Sequence, residues 1–165
     1  MHACIDLGSN SFHILIGEWK KGRITIVERL SEKVQLGEKV ASTGNISQQA
    51  YQRGMACLHR FKLLMRQYPI KNYWALGTNT FRQANNSAEF IKAAQKIGID
   101  IAVITGVQEA ILVYAGVVSS LPASDFHRLV IDVGGGSTEV VVGSKHERIL
   151  TESLAVGSVA WRDKF

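Results

Sequence analysis

The sequence predicts an α/β fold: a mixed sheet with helices on both faces, in the order βββαβαβα, followed by the start of a second such unit. Three observations predict it. Three apolar segments near the N-terminus are joined by short turns, the pattern of a strand meander. Helix-like and strand-like segments then alternate up to about residue 119, the pattern of a sheet covered by helices. Finally the pattern restarts: CIDLGSNSFHILIG at 4–17 and VIDVGGGSTEVVVG at 130–143 align without a gap, 126 positions apart.

The elements follow in order. Residues 3–7 (ACIDL) read as a buried strand and, beyond the turn from Gly8 to Ser11, residues 12–18 (FHILIGE) read as a second. KKGR at 20–23 is a hairpin turn into a third strand over 24–34, with an alternating pattern from Ile24 and Ile26 to Glu28 and Leu30. Gly37 and Gly44 bracket a loop. Ser47 stands where an N-cap belongs, ahead of a helix to about Tyr68 that Pro69 stops. The spacing gives that helix an apolar face of Tyr51, Met55, Leu58, Met65 and Tyr68.

Residues 73–78 (YWALGT) form a strand, and Asn86 or Ser87 caps a helix to Ile97 that Gly98 ends. A strand over 99–105 and a helix over 108–119 complete the first unit, and SSLPASD at 119–125 reads as a linker. The restart supplies two strands around the triple glycine, a third at 147–153 and a helix start near Gly157. The expected division is a complete first domain over 1–123 and the opening β-meander of a second over 124–165. His13, inside an apolar strand, reads as a core histidine.

Composition narrows the function classes. An apolar content of 46% supports a real core, and two prolines argue against long disordered linkers. No apolar run approaches a membrane span, and the N-terminus lacks the pattern of a signal peptide. Cys4 and Cys57 lie far apart with no CxxC, which reads as free thiols of a reducing cytoplasm. The five histidines show no zinc spacing. The formal charge of +5 is carried by residues up to Ala123, where 14 Lys and Arg face 8 Asp and Glu. This modest positive field suits a polyanion, but scattered charges without interleaved aromatics exclude a nucleic-acid platform.

The repeated turns carry the chemistry. A turn of glycines and small polar residues between two strands is either a tight hairpin or a cradle where an anion approaches the backbone. Asp6 opens one turn, where aspartate commonly caps its own loop, and Asp132 opens the other. A structural hairpin rarely needs the same aspartate and small-residue turn twice, so two facing cradles for a phosphate chain are the favoured reading. No G-x-x-x-x-G-K-[ST] occurs, which excludes a P-loop as the cradle. Gly135, inside the triple glycine, is expected to resist a side chain more than Gly143 at the end of the next strand.

Five segments in order, IDLGSNSFHILI, GTNTFRQANN, VITGVQEA, VIDVGGGSTEVVVG and SLAVGSVAW, resemble the motifs of the exopolyphosphatase/guanosine pentaphosphate phosphohydrolase (Ppx/GppA) family. The resemblance spans essentially the whole chain and implies a ribonuclease H-like, actin-like ATPase fold. It implies removal of a terminal phosphate from inorganic polyphosphate or guanosine pentaphosphate, in a cleft between two domains, with Mg2+ or another divalent metal, and polyphosphate or guanosine penta- or tetraphosphate as partners. By position, it makes Glu109 the general base that activates water. Gly8, Ser9, Asn10 and Ser11, with Gly134, Gly135, Gly136 and Ser137, become the phosphate loops. Arg82 becomes a contact to the phosphate chain, and Asp132 and Glu139 hold the metal directly or through water; the alternative for Glu139 is a surface position.

Phosphoryl transfer suits such a set, because it needs charge neutralisation and an aligned nucleophile more than covalent chemistry. Two departures stand out. Gln108 and Ile111 replace the first glutamate and the arginine of the family's Glu-Glu-Ala-Arg. Counted against the family, the far wall of the cleft lies outside these 165 residues, so the chain alone is expected to fold without appreciable hydrolysis. Its unpaired meander would dock on a neighbour, form a homodimer by exchange, or stay mobile. Two other functions stay open: a weakened phosphate-chain or nucleotide sensor, and a kinase-like ATPase of the same superfamily. Polyphosphate and guanosine pentaphosphate are not distinguished by these residues.

Overall fold

A computed structural model describes residues 1–21, 23–144 and 147–162; Gly22, in the expected KKGR turn, lies outside the described residues. Strands β1 (His2–Leu7), β2 (Ser11–Lys20) and β3 (Arg23–Lys33) form the predicted antiparallel meander. They are followed by helices α1 (Val40–Thr43) and α2 (Gln48–Met65), strand β4 (Asn72–Gly77), helices α3 (Asn79–Gln83) and α4 (Ser87–Lys96), and strand β5 (Ile101–Val103). The sheet order is β3-β2-β1-β4-β5, with β4 and β5 parallel to β1. Helix α5 (Gly106–Ser120) leads to a second, antiparallel sheet of β6 (His127–Val133), β7 (Thr138–Ser144) and β8 (Glu147–Leu154), then to α6 (Ser158–Arg162).

Alternation along β1 and β2 turns Ala3, Ile5, Leu7, Phe12, Ile14 and Ile16 to one face, where α2 and α4 bury them. The Ser47 hydroxyl accepts from the Ala50 N–H at 3.2 Å and starts α2 as expected. The face of α2 that goes inward differs from the expected one: it is Ala50, Gly54, Cys57, Leu58, Phe61 and Met65. Tyr51 and Met55 are only partly buried, and Tyr68 lies beyond the helix end. The cause is Phe90 of α4, which occupies the space a Cβ at Gly54 would fill. Phe90 also meets Phe12, Tyr51 and Phe81 edge-on, with ring centroids 6.4, 5.3 and 5.5 Å apart. Small residues on α2 therefore face the large ring, and spacing alone ranks small residues too low.

Other boundaries also differ. Residues 40–43, read as part of a loop, and residues 79–83, given no element above, each form a short helix, and the strand over 99–105 shortens to Ile101–Val103. The Asn86 side chain does not cap α4; it exchanges hydrogen bonds with the backbone of Ile46, at 2.8 and 3.0 Å. Gly98 takes φ 77° after α4, as a helix-ending glycine should.

Packing divides the chain ahead of α5. One core holds residues from Ala3 to Ile99; the other unites Ala110, Tyr114 and Val118 of α5 with Val130 and Val141. So α5 covers the second sheet, and the face of the first sheet opposite α2 and α4 carries no helix among the described residues. The other face of the second sheet is bare too, with Leu129, Ile131 and Val133 all more than half exposed.

The repeat is structural as well as sequential. Both turns close with the same bond, from Gly8 N–H to the Ser11 carbonyl at 3.1 Å and from Gly134 N–H to the Ser137 carbonyl at 2.9 Å. A register shift falls between Ile16 and Gly17 in one meander and between Val142 and Gly143 in the other. Gly143 is not the tolerant position expected: a Cβ there would overlap the Tyr114 hydroxyl and the Glu147 carbonyl. Gly143→Ala should therefore destabilise the second sheet by about 1–3 kcal/mol, the usual range for overpacking, read as a lower urea midpoint.

Candidate active site

The two turns bring their tips into contact between the sheets. A Cβ at Gly135 would lie 3.0 Å from Asn10 N and 3.1 Å from the Ser9 Cβ. One at Gly136 would overlap Asn79. Of the described glycines only Gly44 and Gly98 take positive φ, so the loop glycines are required for close approach and not for a left-handed turn. The approach they permit is first of all that of the other loop.

Beside this contact lies a cleft of about 260 Å³ lined by Asp6, Gly8, Ser9, Asn10, Ser11, His13, Thr78, Asn79, Glu109, Asp132, Gly134, Gly135, Gly136, Ser137 and Ser158, with Val133. Every residue of the two expected loops lines it. His13 also lines it and is exposed, which corrects its reading as a core residue: it sits opposite Asp6 in the β1–β2 pairing, on the face away from the core. Ser9 is buried, its hydroxyl accepting from Thr80 Oγ1 at 2.8 Å, and its carbonyl accepts from Gly37 N–H at 2.9 Å.

Glu109 sits in the first turn of α5. Thr105 and Gln108 start that helix with a reciprocal capping box: Gln108 N–H donates to Thr105 Oγ1 at 3.1 Å, and Thr105 N–H donates to Gln108 Oε1 at 2.9 Å. The glutamine at 108 thus performs the capping that a glutamate performs. Arg82, from α3, donates to Glu109 Oε2 at 3.0 Å and to the Ile104 carbonyl at 2.8 Å. Its guanidinium therefore anchors the base candidate, and neither Arg82 nor Glu139 is among the residues lining the cleft.

Burial, and next the charge of Glu139, push the Glu109 carboxyl up to about 7 against the opposing pull of Arg82. Burial also raises Asp6, with His13 opposing and Asp132 adding to the shift. Glu139 is no surface residue: it is 1% exposed. Its Oε1 accepts from Ser153 Oγ at 2.8 Å, while its buried Oε2 has no hydrogen-bond partner. The Ser153 side chain takes the space that a Cβ at Gly106 would need, tying β8 to the start of α5.

Among the described residues no three His, Cys, Asp or Glu side chains are grouped to hold a metal ion by themselves. The site fits a cation in another way. A buried carboxylate oxygen without a partner, next to Asp132 across the β6–β7 pairing, suits an ion held by one or two carboxylates and completed by phosphate oxygens and water. Sequence reasoning assigned no role to Thr78, Asn79, Ser153 or Ser158. The signal available was that Thr78 and Asn79 fall in the segment GTNTFRQANN, and Ser153 and Ser158 in SLAVGSVAW.

The Ppx/GppA phosphatase family model matches residues 15–165. The chain belongs to that family. A candidate exopolyphosphatase of Haemophilus influenzae is 38% identical over 164 residues, which are 99% of this chain and 50% of that protein. The crystal structure of an exopolyphosphatase from Cytophaga hutchinsonii superposes with a TM-score of 0.95 at 31% identity, over 99% of this chain and 53% of the other. The Aquifex aeolicus Ppx/GppA family member gives 0.82 at 32% identity, over 94% of this chain and 51% of the other. The chain thus spans about half the length of these relatives, and its fold is the actin-like α/β fold. No helix among the described residues is long and apolar enough to cross a membrane.

Proposed function

We propose that this chain supplies the catalytic half of a phosphoanhydride hydrolase that releases terminal phosphate from inorganic polyphosphate or guanosine pentaphosphate. The observation that carries the reading is the Glu109 carboxyl, raised to about 7, at the start of α5 beside the two glycine turns. In its ionised form Glu109 accepts a proton from water as the water oxygen bonds to the terminal phosphorus. The bridging P–O bond breaks, and the shortened chain leaves with that oxygen. Arg82 fixes the carboxylate for this task through its bond to Oε2. The turns themselves use the Gly8 and Gly134 amides, so backbone donation to phosphate oxygens would have to come from other amides of each loop. Mg2+ or another divalent cation, held by Asp132 and Glu139, would supply charge neutralisation at the phosphate.

The capping box at Gln108 removes one motive for a weakened sensor, because the helix start that carries Glu109 is fully built. Phosphate release assayed at the relatives' full length with polyphosphate, guanosine pentaphosphate and ATP separates the hydrolase from the sensor and the kinase-like ATPase. Release from neither of the first two substrates overturns the proposal.

The pH profile supplies a further prediction. A general base works deprotonated, so kcat/KM should rise with pH through an acid limb near the Glu109 value of about 7, well above an ordinary carboxylate. A cation that offsets the Glu139 charge would move that limb downward. A limb at or below 4.5 at every metal concentration would remove Glu109 from the role.

A further inference from the structure

Edge strand β3 sorts its charges by face. The sorting follows from its pairing with β2, because residues paired across two strands point to the same side of a sheet. Glu28, Leu30 and Glu32 pair with Ile16, Ile14 and Phe12, all core residues, and so face the helices. There Glu32 accepts from Arg60 Nε at 2.7 Å and Glu28 from the Tyr68 hydroxyl at 3.3 Å. Arg29, Ser31 and Lys33 pair with Leu15, His13 and Ser11 and lie on the opposite face, all three exposed. Among the described residues neither the Arg29 guanidinium nor the Lys33 ammonium has an ion pair, whereas Arg53, Arg60 and Arg82 are each bound to a glutamate.

This basic row is continuous with the site. Ser11 and His13 line the cleft, and His13 also lines a groove of about 200 Å³ with Arg29 and Ser31. The end of β3 is pinned to the first glycine turn, since the Val34 and Gln35 N–H groups both donate to the Asn10 carbonyl, at 3.0 and 2.7 Å. Lys33 therefore keeps a fixed place beside that turn. Extended strand carries Arg29 about 13 Å further along. A single phosphate reaches only one of two cations so spaced; a linear polyanion reaches both.

We infer that Lys33 and Arg29 form a subsite for the trailing part of a linear inorganic polyphosphate whose terminal phosphate lies at Glu109. The chain would leave the cleft past Ser11 and His13 and run along β3. The inference rests on the hydrolase reading above and gives the substrate a direction.

Binding, measured without turnover, tests it. Tripolyphosphate and long-chain polyphosphate are titrated calorimetrically into the 165-residue chain, into Arg29→Gln/Lys33→Gln, and into Lys92→Gln/Lys96→Gln. The last variant loses the same charge from α4, on the other face of the sheet. Counted per chain end, the long chain should bind the parent about tenfold more tightly than tripolyphosphate, the lower end for bonds to charged groups. The β3 variant should lose that advantage with tripolyphosphate binding unchanged, and the α4 variant should keep it. Both β3 residues are exposed, so the variant should melt with the parent, and each single substitution should remove part of the advantage. No advantage in the parent, an advantage that survives in the β3 variant, or an equal loss in the α4 variant overturns the subsite while leaving the cleft reading intact. A parent that binds no tripolyphosphate overturns the cleft reading, and the subsite with it. Guanosine pentaphosphate weakened in the β3 variant as much as the long chain would show that the row takes any remote phosphate, and would overturn a subsite for a linear chain.

Discussion

Glu109→Gln, in a polypeptide of the relatives' length, is expected to lower phosphate release by about 10²–10⁴-fold while leaving phosphate-chain binding nearly unchanged. The amide retains an oxygen for Arg82, so the α3–α5 link that places residue 109 persists. What disappears is proton acceptance, and that loss belongs to the chemical step. Measured as kcat with bound polyphosphate in a parallel titration, the change should fall on kcat and not on affinity. Turnover within a few-fold of the parent would exclude Glu109 as the base. Loss of binding together with turnover would make Glu109 a structural partner of Arg82.

Gly157→Ala should be nearly as damaging, although residue 157 is absent from the cleft lining. A single methyl there would overlap the Gly136 amide and the Gly135 carbonyl group, all backbone atoms that no rotamer change can move aside. The loop is also held by Val159 N–H to the Gly135 carbonyl at 2.8 Å and Ser158 N–H to the Gly134 carbonyl at 3.0 Å. The turn must therefore shift against its partner loop. A displacement near 1 Å in a site that works by positioning costs about 10²-fold in kcat/KM. Gly116→Ala is the control, because nothing lies within 4 Å of its new Cβ and alanine favours a helix interior. Equal phosphate-release rates for the two variants would show that the loop contact has no part in catalysis.

The order of elements, the Ser47 cap and the repeated turns were legible from the chain alone, because each depends on residues within a few positions of one another. Glu109 at a helix start and the two Asp-x-Gly turns were legible for the same reason, and the family motifs named roles for them. The buried face of α2 was not legible. It depends on Phe90, far along the sequence, meeting the small residue Gly54. Nor was the burial of Glu139, since its partner Ser153 lies on another strand and alternation alone does not tell which face of a sheet a helix will cover.

By itself the sequence determined two strand meanders with matching glycine turns, a carboxylate at the start of a helix, and a chemistry suited to phosphate. Local propensity and repetition are enough for those. Only the tertiary structure decided that α5 leaves the first sheet for the second, that Arg82 pairs with Glu109, and that the loop glycines make room for each other. Those outcomes come from packing between distant segments, where volume, exclusion of water and the pairing of buried charge select one arrangement from many that the same local pattern allows.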